Sequence, residues 1–181
     1  MSNKTKKISA ALAAALVAAG IAIGAFVNLN KTAVVVTRPS VTAVSKGKSF
    51  DLTVALDNSV GFTKGVVGLV LDVSYDSTKL SYSNKAVTLA QGLQNFEVAA
   101  NEATPGVITV LLNPTGLVNG EFPAVGNGDI FILPFTVKQN AASGSVSFSI
   151  TSIQGADYAA DGSFELVAIK QGSQQAKVTI S

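Results

Sequence analysis

The side chains that most often carry chemistry are scarce in this chain of 181 residues, which contains no His and no Cys. That removes the usual general base and the commonest metal ligand, and with them thiolate chemistry and any disulfide framework. Nucleophilic catalysis would need a Ser–Lys pair, and hydrolysis of a sugar would need two carboxylates about 5 to 9 Å apart, one with a raised pKa. Asp72 and Asp76 are the nearest acidic pair on or beside one strand. They read as a solvent-facing strand residue and a turn cap. Asp157 and Asp161 frame the loop Asp157-Tyr158-Ala159-Ala160-Asp161-Gly162. Such a loop could hold calcium through carboxylates and carbonyls, but two acids are too few without other ligands. No enzyme is expected, and no cofactor beyond that calcium. A carbohydrate-binding module would stack aromatic planes on sugar rings, yet there is no Trp and the tyrosines are Tyr75, Tyr82 and Tyr158.

The stretch that must position any of these groups is Gly65 to Leu80 (GVVGLVLDVSYDSTKL). Its odd positions Val67, Leu69, Leu71, Val73 and Tyr75 are large and apolar, the period of a strand with one face in a core. The even positions Val66, Gly68, Val70, Asp72 and Ser74 face the other way, and only the last two are polar. Asp76-Ser77-Thr78 ends the strand in a turn before Leu80 returns inward.

Composition and the N-terminus set the context. Hydrophobic residues make up 48% and charged ones only 13%, a polar but weakly charged surface of the kind associated with extracellular proteins. Lys4, Lys6 and Lys7 precede Ile8 to Val27, an uncharged apolar run. Without those three lysines, ten basic residues face eleven acidic ones, so a nucleic-acid partner has no electrostatic support. Residues 1–27 read as an export leader. It is either a signal peptide, cleaved near Ala22, Gly24 or Ala25, or a retained anchor long enough to span about 30 Å of bilayer. Contact with a membrane is expected only through that leader, if it stays uncleaved. Residues 28–32 read as a short polar link, and residues 33–181 as one folded domain.

Within that domain the signals are those of strands. Ala33 to Thr37 is a β-branched run ended by Pro39. Ser49 to Leu56 alternates, with Phe50, Leu52, Val54 and Leu56 inward. Short candidates follow at Ala86 to Leu89 and Asn95 to Ala99. Val107 to Leu112 (VITVLL) is apolar on both sides and so reads as a central strand. After the turn-rich loop Asn113 to Gly128, Asp129 to Lys138 places Phe131, Leu133, Phe135 and Val137 on one face and Ile130, Ile132 and Pro134 on the other. Pro134 demands an edge or a bulge. Ser145 to Ile153, Phe164 to Lys170 and Gln175 to Ile180 complete an all-β, two-sheet β-sandwich, preceded by the hydrophobic leader helix.

Apolar residues on faces that ought to meet water are the more informative feature. Val66, Val70, Ile130 and Ile132 would form an exposed patch, covered either by a partner or by the loop Asn113 to Gly128.

The run Ser74-Tyr75-Asp76-Ser77-Thr78-Lys79-Leu80 resembles the third strand of a cohesin module, usually S-Y-D-P-x-x-L, with Ser77 in place of Pro. The resemblance extends over residues 33 to 181. It takes in the Gly47 turn before the second strand, Gly128-Asp129 leading to Phe135–Lys138, the Ser143-Gly144 turn, the D-x-x-x-D-G loop at Asp157–Gly162, and the closing Gly172–Ile180. It implies a jelly-roll sandwich that grips the helices of a dockerin on one sheet face. The outward positions that often hold Asn and Asp in cohesins are Gly68 and Val70 here, which implies a hydrophobic contact instead. The residues expected to bind a partner are Val66, Gly68, Val70, Asp72, Ile130 and Ile132. A self-assembling filament or surface-layer subunit is the second expectation, with Ala33, Val34, Val35, Val36 and Thr37 donated as a strand to a neighbouring copy. Either function places the protein outside the cell or on its surface.

Overall fold

The computed structural model describes residues 27–62, 65–82, 87–158, 164–173 and 175–181. The expected leader apart from Val27, Asp161 and most of the Asp157–Gly162 loop lie outside them. Among the described residues every regular element is a strand: β1 (Val27–Pro39), β2 (Ala43–Val44), β3 (Ser49–Val60), β4 (Gly68–Ser74), β5 (Leu80–Tyr82), β6 (Thr88–Leu89), β7 (Phe96–Thr104), β8 (Val107–Pro114), β9 (Gly128–Val137), β10 (Gly144–Ser147), β11 (Ser149–Tyr158), β12 (Phe164–Gln171) and β13 (Lys177–Ile180).

Ten strands form one ladder in the order β5-β9-β3-β1-β12-β11-β4-β8-β7, with β6 also on β9, and β10-β13-β2 forms a second, smaller sheet. The long ladder folds over so that its two halves share a core. Leu52, Val54, Phe131 and Leu133 from β3 and β9 lie in the same buried cluster as Leu69, Leu71, Ile108 and Val110 from β4 and β8. The small sheet adds Val44, Val146, Val178 and Ile180 to it. Phe135 sits at the aromatic centre, its ring 5.0 Å from those of Tyr75 and Phe148 and 5.9 Å from those of Phe50 and Tyr82.

The alternation read from sequence holds in the middle of these strands and slips at particular points. Val54 pairs with Phe131, but Ala55 pairs with Asp129, so Ile130 is the extra residue of a bulge. Ile130 and Phe131 are both fully buried; the expected outward placement of Ile130 is therefore corrected. The same happens before β4. Val67 N donates to Ala156 O, while Gly68 is the register partner of Ala156. Val66 is thereby turned into the main core, and Val67 packs in a separate cluster, the reverse of the expected assignment. One added residue exchanges the faces of whatever precedes it. Ser145 to Ile153 is two strands: the chain passes from the small sheet to the large one at Phe148, which is fully buried and whose N donates to Ala176 O.

Residues 28–32 are part of β1 rather than a link. Val27 and Asn28 pair in parallel with Leu166 and Val167 of β12. A polar stretch can occupy this strand because Lys31 is neutralised inside it: Nζ is 2.7 Å from Asp157 Oδ2 and also bonds Glu165 Oε1. The side chains of Lys31 and Asp157 are 17% and 7% exposed. The two carboxylates hold the Lys31 pKa above its ordinary value. Further along, Ala33 to Val35 pair with β12 and Val34 to Thr37 with β3. The residues expected to be donated to a neighbour thus fill a place between two strands of their own sheet.

Candidate docking face

Strands β11, β4, β8 and β7 lie side by side, and their registers define the rows on their outward face. Gln154, Val70, Leu111 and Ala99 make one row; Ser152, Asp72, Thr109 and Asn101 make the next. The two rows are adjacent, since residues two apart on a strand share a face.

The middle of the first row, Val70 and Leu111, is roofed, while Ala99 is exposed. The segment after β8 is tied to the residue that precedes β7 through Thr115 N and Oγ1, which both donate to Asn95 O, and returns where Val66 and Val125 exchange backbone hydrogen bonds. Between those ties Val118 and Glu121 form a small hairpin with reciprocal bonds of 2.7 and 3.1 Å. Its turn is Asn119-Gly120, with φ of 52° and 85°, the pairing that favours tight two-residue turns because both residues tolerate positive φ. Phe122 then packs with Val67 and Ala156, and Val70, Leu111, Ala124 and Leu166 close around them. Phe122 is only 9% exposed. Of the expected apolar patch, Val70 is the residue that this loop covers.

The second row is open. Thr109 and Asn101 are exposed and Asp72 half-buried. The Thr109 hydroxyl donates to Asp72 Oδ1 at 2.6 Å, which fixes the carboxylate and leaves Oδ2 for an incoming donor. The four strands contain no Lys or Arg. Their carboxylates other than Asp72 and the exposed Glu97 are occupied: Asp157 by Lys31, and Glu102 by the Tyr75 hydroxyl and by Gly106 N. The open part of the face is therefore polar and acidic, not hydrophobic.

The residues expected to bind a partner are dispersed by this geometry. Gly68 is buried, Val70 and Asp72 are half-buried on the β4 face, and Val66 and Ile130 face the core. Ile132 belongs to β9, separated from β4 by β3, β1, β12 and β11 in the ladder. It lines a cavity of about 440 Å³ with Gln91, Leu93, Val125 and Asp129. Because β4 and β9 face each other across one core, their outward surfaces point in opposite directions. Thr109, Asn101 and Ser152 were missed. Thr109 carried a signal, a polar residue at an outward position within a run read as apolar on both sides.

The other chemical groups are engaged structurally. Asp76 Oδ1 accepts from Thr78 N at 2.9 Å and from Thr78 Oγ1 at 2.5 Å, so it caps its turn, and the Thr78 hydroxyl holds its carboxyl below the usual range. Among the described residues no group of three His, Cys, Asp or Glu could hold a metal, and Asp157 already has the Lys31 ammonium as its cation. Tyr75 and Tyr82 pack against Phe135 and cannot serve as a sugar platform. Burial pushes both phenols up, Tyr82 to about 12, and the nearby Glu102 carboxylate adds to the shift.

Residues 34–176 match the family described as Cohesin domain. Among solved structures, the seventh ScaB type I cohesin of Pseudobacteroides cellulosolvens is 17% identical with a TM-score of 0.62, covering 82% of this chain and 92% of that one. The sixth cohesin of scaffoldin B from Acetivibrio cellulolyticus, solved with a mutant Cel5 dockerin, is 21% identical with a TM-score of 0.57, covering 82% and 99%. A cohesin module from a family 33 glycoside hydrolase of Clostridium perfringens is 15% identical with a TM-score of 0.57, covering 80% and 100%. No curated protein matches the sequence.

Proposed function

This chain belongs to the cohesin family, and from that premise we propose that it is a non-catalytic docking module, exported to the cell surface or beyond, that receives a dockerin-type protein on the outward face of β11, β4, β8 and β7. The observation that carries the reading is the open row Ser152, Asp72, Thr109 and Asn101. It presents a fixed carboxylate among small polar side chains on a rigid four-strand platform, which suits recognition of a preformed surface more than chemistry on a substrate. Against catalysis stand the lack of His and Cys and the engagement of Asp76 and Asp157 in a cap and an ion pair. Strand donation to a second copy loses its support, since β1 is paired on both sides within its own chain.

A pooled display library of natural dockerin modules tests the reading. The folded chain should enrich individual dockerins, and Asp72→Ala combined with Thr109→Val should lower their binding by at least tenfold. A chain that enriches none overturns the proposal. Export is tested separately, by protease added to intact cells: a chain that stays protected in the cytosolic fraction refutes the surface location.

A further inference from the structure

The docking reading leaves the cavity beside Ile132 without a use. Two turns build it, residues 90–93 after β6 and residues 125–129 leading into β9. Its volume of about 440 Å³ falls within the span of about 300 to 1,000 Å³ usual for small-ligand sites. Leu93 and Ile132 in its lining are half-buried and Val125 is buried, whereas Gln91, Asn127 and Asp129 are exposed. Two of those polar side chains are held. Asn127 Oδ1 accepts from Ser59 N at 2.9 Å, which leaves Nδ2 as a positioned donor. Asp129 Oδ1 pairs with Arg38 Nη1 at 3.3 Å, which balances the one charge of the lining. Gly126 has no conformational reason to be glycine: its φ is not positive, and a Cβ there would meet no atom within 4 Å. What its small size does is leave the lining open. Among the described residues no backbone–backbone hydrogen bond engages Gln91, Gly92, Gly126 or Asn127, so their N–H and C=O groups face no competitor for a ligand.

We propose that this cavity is a carbohydrate site that takes a neutral sugar unit. A sugar hydroxyl both donates and accepts, and the lining offers both kinds of partner in its open backbone groups, two amides and one carboxylate. The C–H face of a ring then covers the aliphatic side chains of Leu93, Val125 and Ile132. A charged ligand finds no unbalanced charge to attract it, because Arg38 already answers Asp129. An extended peptide finds no strand edge, because β9 beside the cavity is paired with β3 on one side and β6 on the other. With the aromatic rings of Tyr75 and Tyr82 packed in the core, no stacking plane strengthens the grip, and binding is weak. The site is separate from the docking row and does not depend on it.

Amide chemical shifts of the isotope-labelled full chain test the inference. Glucose, galactose, N-acetylglucosamine, cellobiose, lactose and chitobiose are each titrated to about 20 mM, enough to fill a site of millimolar Kd. At least one of them should shift the amides of Gly92, Gly126 and Asn127 and leave those of Asp72 and Thr109 in place. Gly126→Leu fills open space in the lining without meeting its neighbours, and should weaken that sugar at least tenfold. Gln91→Ala, a milder change at an exposed position, should weaken it a few-fold. Melting temperatures within a few degrees of the parent's confirm that both variants are folded, and both should bind displayed dockerins as the parent does. A panel in which no sugar moves those amides overturns the inference, as does a sugar bound equally well by Gly126→Leu; either leaves the docking reading untouched. Sugar shifts at the cavity in a chain that enriches no dockerin would uphold the inference and overturn the docking reading instead.

Discussion

At the Gly68 end of β4 the outward residues lie beneath Phe122, whereas two positions further along the same strands Asp72 and Thr109 meet solvent. The strands and their pairing are shared; the difference lies in what a distant loop does. The apolar half is a second small core, closed by the chain itself, and its apolar pattern is satisfied without a partner. The polar half is free. An outward apolar run therefore shows that something covers the strand, and the identity of the cover decides whether the run or its polar neighbour is the place to bind.

The sharpest way to break this contrast is to remove the plug. Phe122→Ala opens the cluster of Val67, Val70, Leu111 and Ala156, and should cost about 2 to 4 kcal/mol, toward the lower part of the range for aromatic truncations because the cluster is small and near the surface. Denaturant unfolding measures it. A loss below about 0.5 kcal/mol, the size of an ordinary surface substitution, would mean that the hairpin does not roof the strands and that the two halves are alike.

Next in size is the seam where β1 joins β12. Lys31→Met leaves Asp157 buried and without its cation, a loss of about 2 to 3 kcal/mol, discounted from a fully buried pair because Glu165 and Lys31 retain some solvent. The sign with pH follows from the raised Lys31 pKa. The contribution is fully present below the ordinary lysine value of 10.5 and is lost as pH rises through the higher folded value. A parent protein whose stability between pH 9 and 12 matches that of the variant would remove the ion pair from the account.

A smaller effect is expected at the opposite end of the core. Glu102→Ala leaves the Tyr75 hydroxyl and Gly106 N without their acceptor, worth about 1 to 2 kcal/mol. In the parent, Tyr82 should ionise near 12 in an alkaline absorbance titration, with Tyr75 higher still. Since burial is the leading cause, both should fall in the variant yet stay above the ordinary value of 10. These raised phenol pKa values stabilise the fold fully below about pH 10 and lose that contribution as pH climbs toward 12. Tyrosines titrating together near 10 in the folded parent would contradict this packing.

Much of this arrangement is legible in the residues, and the places where it is not share one physical cause. Phe50, Leu52, Val54 and Leu56, and Leu69, Leu71, Val73 and Tyr75, face inward as their period demands. Ile130 and Val66 do not obey the period because each stands at a bulge. A bulge is set by the register with a strand far away in sequence, β3 for one and β11 for the other, so no local pattern reveals it. The loop Asn113 to Gly128 shows its turn formers plainly, Asn119-Gly120 among them, but not that Phe122 would face a sheet. Gly68 and Val70 drew attention as the positions where relatives often carry Asn or Asp; the polar pair sits two residues on, at Asp72 and across from it at Thr109.

The smallest expected effect on folding is the most decisive for the contrast. Asp72→Ala removes one carboxylate whose bonded partner, Thr109, is exposed and can turn to water. Its cost to stability should stay below about 0.5 kcal/mol, as for other surface changes away from caps and buried networks. If the row is the docking surface, the same substitution should still weaken a bound dockerin by tenfold or more, about 1.4 kcal/mol, since a partner cation loses a fixed acceptor in a site shielded from water. Phe122→Ala, measured with the protein below its unfolding transition, should do the opposite, lowering stability far more than affinity. Should both substitutions move stability and binding in equal proportion, the face would be one continuous surface, and the division between a half closed by the chain and a half left for a partner would not hold.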